Sequence, residues 1–434
     1  MVSWAPILAL IVVMYIVFAR QGVRVATTGL FCIACFAAIT ENDQTPSPVF
    51  GFAGIHLFPF DVITIALILV AVVQREQLKG NLRPWLAVLL ALLPLLIVSV
   101  VVGYVKYGSI ALVEFRPFMY FMAAIVAFAS VEWSDSNVRR LALIAALASS
   151  VAILVIAVAR LVELGFVSSD EFFIDATGTY RTLRPVVASQ AAVLGLGSIV
   201  VLAEWIRRGR VGVLFVWIIL ISVVVVVQHR SVWVATLFGI VSLALLMRGG
   251  GLSARLVAAI MCWLSFASLL YLTGALDLLL DKLSTSFADI FSAGSTVTNR
   301  TSGWDLLTNE LFAQNNGASA MGLPMGHGYA RIGPTGLVET YQPHNWYVQL
   351  LLRVGVLGVT CFVASVIFGA FGAWTKRGSR LQFALVVFVS VFVLAYGFVW
   401  YLVPFFVFGA CVAGGRRESE GEAARQCVDR RFCD

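Results

Sequence analysis

His344 stands in Gln342-Pro343-His344-Asn345-Trp346-Tyr347, at the end of a long polar connection and directly before the apolar run Val348-Gln349-Leu350-Leu351-Leu352. An imidazole with a reference pKa near 6.5 can take or give a proton at neutral pH, and a membrane surface is a place where a reacting hydroxyl can meet it. Pro343 fixes the approach of the ring and Asn345 can start or orient the next helix, so the imidazole is tied to a rigid element. His56, His229 and His327 have no such context and read as interfacial hydrogen-bonding residues.

Arginine is the second chemistry-bearing type. Arg230 interrupts the apolar sequence Val223-Val224-Val225-Val226-Val227-Gln228-His229-Arg230-Ser231-Val232-Trp233 with no carboxylate nearby in sequence. A guanidinium presents a planar fork of donors that matches phosphate or carboxylate oxygens, which a lysine ammonium cannot reproduce. No metal-ligand spacing of His or Cys occurs, and Asp170, Glu171 and Asp175 form the one acidic cluster that could take a divalent ion. Gly322-Leu323-Pro324-Met325-Gly326-His327-Gly328-Tyr329 reads as a tight turn, with a phosphate cradle at Gly326 and Gly328 as the alternative.

The elements that hold these residues are membrane helices. Of 434 residues, 60% are hydrophobic and 12% charged, and the mean hydropathy is +0.95, which excludes a soluble domain of ordinary composition. The chain is therefore expected to be all-α, a single polytopic domain over residues 1–434. Apolar runs fall near 3–19, 25–39, 58–73, 85–103, 111–131, 141–164, 185–204, 211–227, 231–247, 255–273, 346–374 and 381–413. The last is too long for one span, and Gly397 and Pro404 predict a hairpin of two shorter helices, for 12 or 13 crossings in all. The N-terminus carries no basic residue ahead of its first apolar run, so that segment is expected to remain as a helix. Five of the seven cysteines lie in apolar runs, Cys427 and Cys433 lie in the tail, and Cys32 and Cys35 read as small side chains one turn apart.

Basic residues cluster at alternate connections: Arg20/Arg24, Arg75/Lys79/Arg83, Arg139/Arg140, Arg207/Arg208/Arg210, Arg248/Arg255, Lys376/Arg377/Arg380 and Arg416/Arg417. These ends are expected to face the cytoplasm, with 414–434 as a cytoplasmic tail and 274–343 as one large extracytoplasmic loop. Basic residues on the outer side then include Arg116, Arg160, Arg181, Arg184, Arg230, Arg300, Arg331 and Arg353. Each either binds an anionic ligand, snorkels to the interface, or pairs with a carboxylate such as Glu114, Glu163, Asp170 or Asp175. Within the loop, Leu276, Leu279, Leu280, Leu283, Phe287 and Ile290 predict an amphipathic helix lying on the membrane as a lid. A second helix is expected to start near Thr298, with Arg300, Trp304, Leu307 and Leu311 on one face.

Taken together, the chain resembles the O-antigen ligase and O-antigen polymerase-like membrane glycosyltransferases. The resemblance rests on His344-Asn345-Trp346-Tyr347-Val348-Gln349-Leu350 followed by Gly355-Val356-Leu357-Gly358, on Arg230 at the outer end of a mid-chain helix, on Arg300 with Trp304, and on Gly326-His327-Gly328 between that arginine and the histidine. It spans about 186 through 413. Arg353, where an acidic or neutral residue is expected, and Ser189-Gln190, where an asparagine is common, depart from the pattern.

The resemblance implies transfer of a glycan from an undecaprenyl-pyrophosphate carrier to an acceptor hydroxyl at the outer face of a bacterial cytoplasmic membrane, without metal, nucleotide sugar or other cofactor. His344 would be the general base. Arg230 and Arg300 would bind pyrophosphate, and Arg181, Arg184 and Arg331 are further candidates for phosphate or donor glycan, with Asn345, Gly326 and Gly328 in support. The partners would be the lipid-linked donor, a glycan or lipid acceptor and membrane lipids; nucleic acid is not expected. Protein O-glycosyltransferase of the same family is an alternative, as is a transporter or flippase of lipid-linked glycan, against which stand the scarcity of charge at the span centres and the lack of an internal repeat.

Overall fold

A computed structural model describes residues 23–40, 50–52, 55–80, 83–133, 135–163, 172–174, 180–182, 184–246, 250–272, 296–314, 317–332, 338–340, 342–375 and 380–412. The expected first span (3–19), the amphipathic lid (276–290), the acidic cluster at 170, 171 and 175 and the tail (414–434) lie outside the described residues.

The helices are α1 (Val23–Thr40), α2 (Pro59–Val73), α3 (Arg75–Gly80), α4 (Pro84–Leu90), α5 (Leu92–Tyr107), α6 (Ile110–Ala129), α7 (Ser136–Glu163), α8 (Ala188–Arg208), α9 (Val211–Val226), α10 (Arg230–Leu245), α11 (Gly250–Leu272), α12 (Thr296–Ala313), α13 (Ala318–Met321), α14 (Trp346–Trp374), α15 (Arg380–Phe392) and α16 (Val403–Val412), the last preceded by a 3-10 turn at Trp400–Leu402. Three antiparallel hairpins with strands of two or three residues occupy connections: β1 (Phe50–Phe52) with β2 (Ile55–Leu57), β3 (Phe172–Ile174) with β4 (Tyr180–Thr182), and β5 (Arg331–Ile332) with β6 (Val338–Glu339). Five helical segments are long and apolar enough to cross a membrane: Pro84–Tyr107, Ile110–Ala129, Ser136–Glu163, Ala188–Arg208 and Trp346–Trp374. Shorter apolar helices complete the bundle. The predicted hairpin over 381–413 is present as α15, a turn and α16.

Local sequence explains the breaks. The run expected over 85–103 is present as the single span Pro84–Tyr107, interrupted at Ala91 between α4 and α5. Pro94 accounts for this, because its ring excludes the carbonyl four residues before it, at Leu90, and it carries no N–H. In α14, Gly355 has φ 66° and ψ −167°, which interrupts the helical path. A Cβ there would overlap the Ala320 carbonyl, so the break lets α13 seat against the helix.

α8 is the centre of the bundle, buried along nearly its whole length. Its small residues let neighbours approach closely, which is how helices pack in lipid where no hydrophobic force drives them together. A Cβ on Gly197 would overlap Ser150 of α7, and one on Gly195 would crowd Thr236 of α10. Phe118, Phe121, Trp346, Phe362 and Phe398 form an aromatic knot that fixes the first turns of α14 against α6 and the turn after α15. Outward faces stay apolar, as with Val98, Val101, Val102 and Val105 on α5 and Val155 and Val162 on α7. Such surface suits contact with hydrocarbon.

Both ends of the bundle carry arginines. At one, Arg255 donates to the Ile206 carbonyl at 2.7 Å, and Arg207 and Arg208 pair with Glu204. At the other lie the N-termini of α2, α6, α8, α10 and α14, with His344, Arg184, Arg230 and Arg300.

Candidate functional site

Asn345 caps α14, as expected: its Oδ1 accepts the N–H groups of Tyr347 at 2.9 Å and Val348 at 3.1 Å. The Trp346 N–H bonds the carbonyls of Val393 at 2.9 Å and Tyr396 at 3.2 Å, joining the first turn of α14 to the turn that follows α15. Gln349 donates to the Pro343 carbonyl at 2.6 Å and is buried. These bonds fix the backbone on both sides of His344.

His344 is exposed, and its ring lies 6.0 Å from the ring of Tyr396. Arg300, in the second turn of α12, sets its guanidinium over the same tyrosine at 5.4 Å and reaches the Ala395 carbonyl at 3.5 Å. Arg331 opens β5, is largely buried, and donates to the Tyr329 carbonyl at 3.2 Å. Its Nε abuts Gly303, one turn along α12 from Arg300: a Cβ on that glycine would stand 2.8 Å from it. Desolvation by the surrounding protein, then the charges of Arg300 and Arg331, lower the His344 pKa to about 4. The imidazole is therefore neutral at neutral pH and able to accept a proton.

Arg300 and His344 thus come together at Tyr396, with Arg331 near enough for its charge to act on the imidazole; the sequence offered no signal for Tyr396 beyond its place beside Gly397. Arg230 opens α10 at the same end, half-buried. The residues before it form a second polar group. His229 is buried, and one ring nitrogen, Nε2, lies 2.8 Å from the Val186 carbonyl, so it must carry the proton. Nδ1 is then the acceptor facing Arg184 at 3.4 Å. Gln228, with φ 56°, makes the sharp turn into α10. Arg181 lies in β4 opposite Phe173, and its side chain lies outside the described residues.

Gly326 and Gly328 do cradle an anion, but it is the protein's own. Their N–H groups donate to the Glu114 carboxylate at 2.9 and 3.0 Å. With both N–H groups spent on Glu114, the turn is structural, the first reading of the sequence, and the alternative of a phosphate cradle at Gly326 and Gly328 is not met. Arg353 and Arg116 are likewise engaged, with Glu114 at 2.9 Å and with Asp61 at 3.4 Å. His327 sits beside Glu310 and edge-on to Tyr107.

A cavity of about 330 Å³ opens at this end, lined by Phe60, Tyr120, Ser189, Tyr396, Trp400 and Tyr401 among others. Tyr396 links it to the His344 group. Asp61 underlies its wall, accepting the Tyr120 hydroxyl at 2.7 Å. Among the described residues, no three His, Cys, Asp or Glu side chains stand close enough to hold a metal ion. Compared with protein-family models and with curated proteins, the chain matches none.

Proposed function

We propose that this protein is a membrane glycosyltransferase that moves a glycan from an undecaprenyl-pyrophosphate carrier to an acceptor hydroxyl at the extracytoplasmic face, as an O-antigen ligase-like enzyme or a polysaccharide polymerase. The observation that supports it best is the meeting of His344 and Arg300 at Tyr396, with Arg331 close by, beside an aromatic-lined cavity that Tyr396 also borders. Aromatic walls suit the faces of sugar rings, and the apolar bundle beneath suits a polyprenyl chain.

In the reaction, neutral His344 takes the proton from the acceptor hydroxyl as its oxygen attacks the anomeric carbon. The glycosidic C–O bond forms while the bond to pyrophosphate breaks, and the lipid pyrophosphate leaves with the electron pair. Arg300 and Arg331, with Arg230 and Arg184 at the same end, supply positive charge for that leaving group. Pyrophosphate beside Arg300 and Arg331 also offsets the two charges that weaken His344, so donor binding raises the basicity of the imidazole. A positioned base contributes roughly 10²- to 10⁴-fold.

The test is transfer from a lipid-pyrophosphate glycan by purified, reconstituted protein. His344→Ala, Arg300→Ala and Arg230→Ala are expected to abolish turnover while the protein stays folded and inserted, and Arg→Lys at either arginine to be nearly as harmful. Wild-type turnover by His344→Ala would return His344 to a role in the chain's path.

A further inference from the structure

Residues 322–329 leave the surface and descend into the bundle. The Met325 N–H bonds the carbonyl of Ser99 at 3.3 Å, and Met325 is fully buried. Ser99 lies eight residues before the end of α5, about 12 Å along its axis at 1.5 Å per residue. The Leu323 N–H bonds the Leu352 carbonyl of α14 at 2.7 Å. Irregular backbone at that depth must find its hydrogen bonds within the protein.

Glu114 and Arg353 meet that need. Both are buried, Arg353 completely. The carboxylate takes the N–H groups of Gly326 and Gly328, and Arg353 Nε stands 2.9 Å from it. Arg353 Nη2 donates to the Gly328 carbonyl at 2.7 Å, and its guanidinium lies 4.2 Å over the Tyr329 ring. The peptide groups on both sides of Gly328 are thus gripped, one by each partner of the ion pair. Tyr329 in turn offers its carbonyl to Arg331.

We infer that the Glu114–Arg353 pair is a positioning device: it clamps the descending loop and so holds Arg331 in its seat on α12 at Gly303, one turn from Arg300 and near His344, acting on the candidate site without touching it. This also accounts for a basic residue at position 353, since the compensating acid arrives from α6. A buried charge without its partner is costly, so the two residues work as a unit. The groups facing His344 include Arg300 from α12, Arg331 from β5 and the Tyr396 ring from the turn after α15. Of these, Arg331 alone hangs directly from the clamped loop.

The role of the clamp in transfer rests on the function proposed above; its effect on His344 does not, and can be read without substrate. The four histidines are labelled with ¹³C in the full-length protein in detergent, and His344 is assigned by the signal lost in His344→Asn. Glu114→Gln with Arg353→Met removes both charges together, so neither is left buried alone. The His344 titration midpoint is expected to rise by about half a pH unit or more as Arg331 withdraws. Arg353→Lys, which keeps the charge but cannot grip Gly328 and face Glu114 in the same geometry, should move it the same way by less.

Exchange of the two residues, Glu114→Arg with Arg353→Glu, keeps an ion pair but leaves the glycine N–H groups without their acceptor. It is expected not to restore the wild-type midpoint. In transfer assays the paired neutral variant should lose about tenfold or more in kcat. A folded Arg353→Lys or paired variant whose His344 titrates as wild type would overturn the inference. A shifted midpoint in a protein whose wild type transfers no glycan would leave the clamp standing and overturn the proposed function.

Discussion

Three glycines with different surroundings separate backbone strain from steric fit. Gly108, which ends α5, has φ 66° and ψ −143° with nothing within 4 Å of a would-be Cβ. Gly355 has nearly the same backbone, φ 66° and ψ −167°, but its Cβ would overlap the backbone of Ala320 and Met321. Gly212, in the first turn of α9, is helical and open. Alanine at Gly108 is expected to cost the strain alone, about 1–3 kcal/mol. Alanine at Gly355 adds displacement of α13, a further ~1–3 kcal/mol by analogy with overpacked cores. Gly212→Ala should instead stabilise, by up to about 1 kcal/mol, because alanine has the better helix propensity. Unfolding in mixed detergent and SDS micelles, followed by tryptophan fluorescence, measures all three. Equal losses for Gly108→Ala and Gly355→Ala would refute the view that α13 is seated through the break in α14. If the seat matters to the site, Gly355→Ala should also reduce transfer while Gly108→Ala does not.

Other outcomes can be checked independently. A Ser319→Cys probe should react with an impermeant thiol reagent on intact cells; reaction only after lysis would place the candidate site in the wrong compartment. The acid limb of kcat/KM, which reports the free protein, should lie near pH 4 for His344, and Arg331→Gln should move it upward toward 6.5; a limb already at 6.5 in the wild type would contradict the geometry. Transfer should survive EDTA and be inhibited by free undecaprenyl pyrophosphate; loss on chelation with recovery on adding Mg²⁺ or Mn²⁺ would point to Asp170, Glu171 and Asp175 instead.

Features with a local period or a local cap were legible in the sequence. The run 346–374 is α14 to the residue, Asn345 caps it, and the helix expected near Thr298 begins at Thr296. Leu307 and Leu311 of that helix bury as its face requires. What escaped notice depends on pairs far apart in the chain. Glu114 meets Gly326 across 212 positions, and no pattern around either announces the other. Tyr396 is an ordinary aromatic residue until α14 and α15 place it beside His344. Pro94 could have signalled the break at Ala91, but the hydropathy of the run is continuous through it.

The bonds from the Trp346 N–H to Val393 and Tyr396 impose an order on biosynthesis. When the start of α14 enters the membrane, His344, Arg300 and Arg331 have all arrived, yet that start lacks the carbonyls that hold it until the turn after α15 follows. Tyr396, which lies beside both His344 and Arg300, follows 52 residues behind His344 in the chain. The candidate site is therefore completed only when the last helical hairpin joins the bundle, and a nascent chain passing through the membrane carries its reactive residues unassembled.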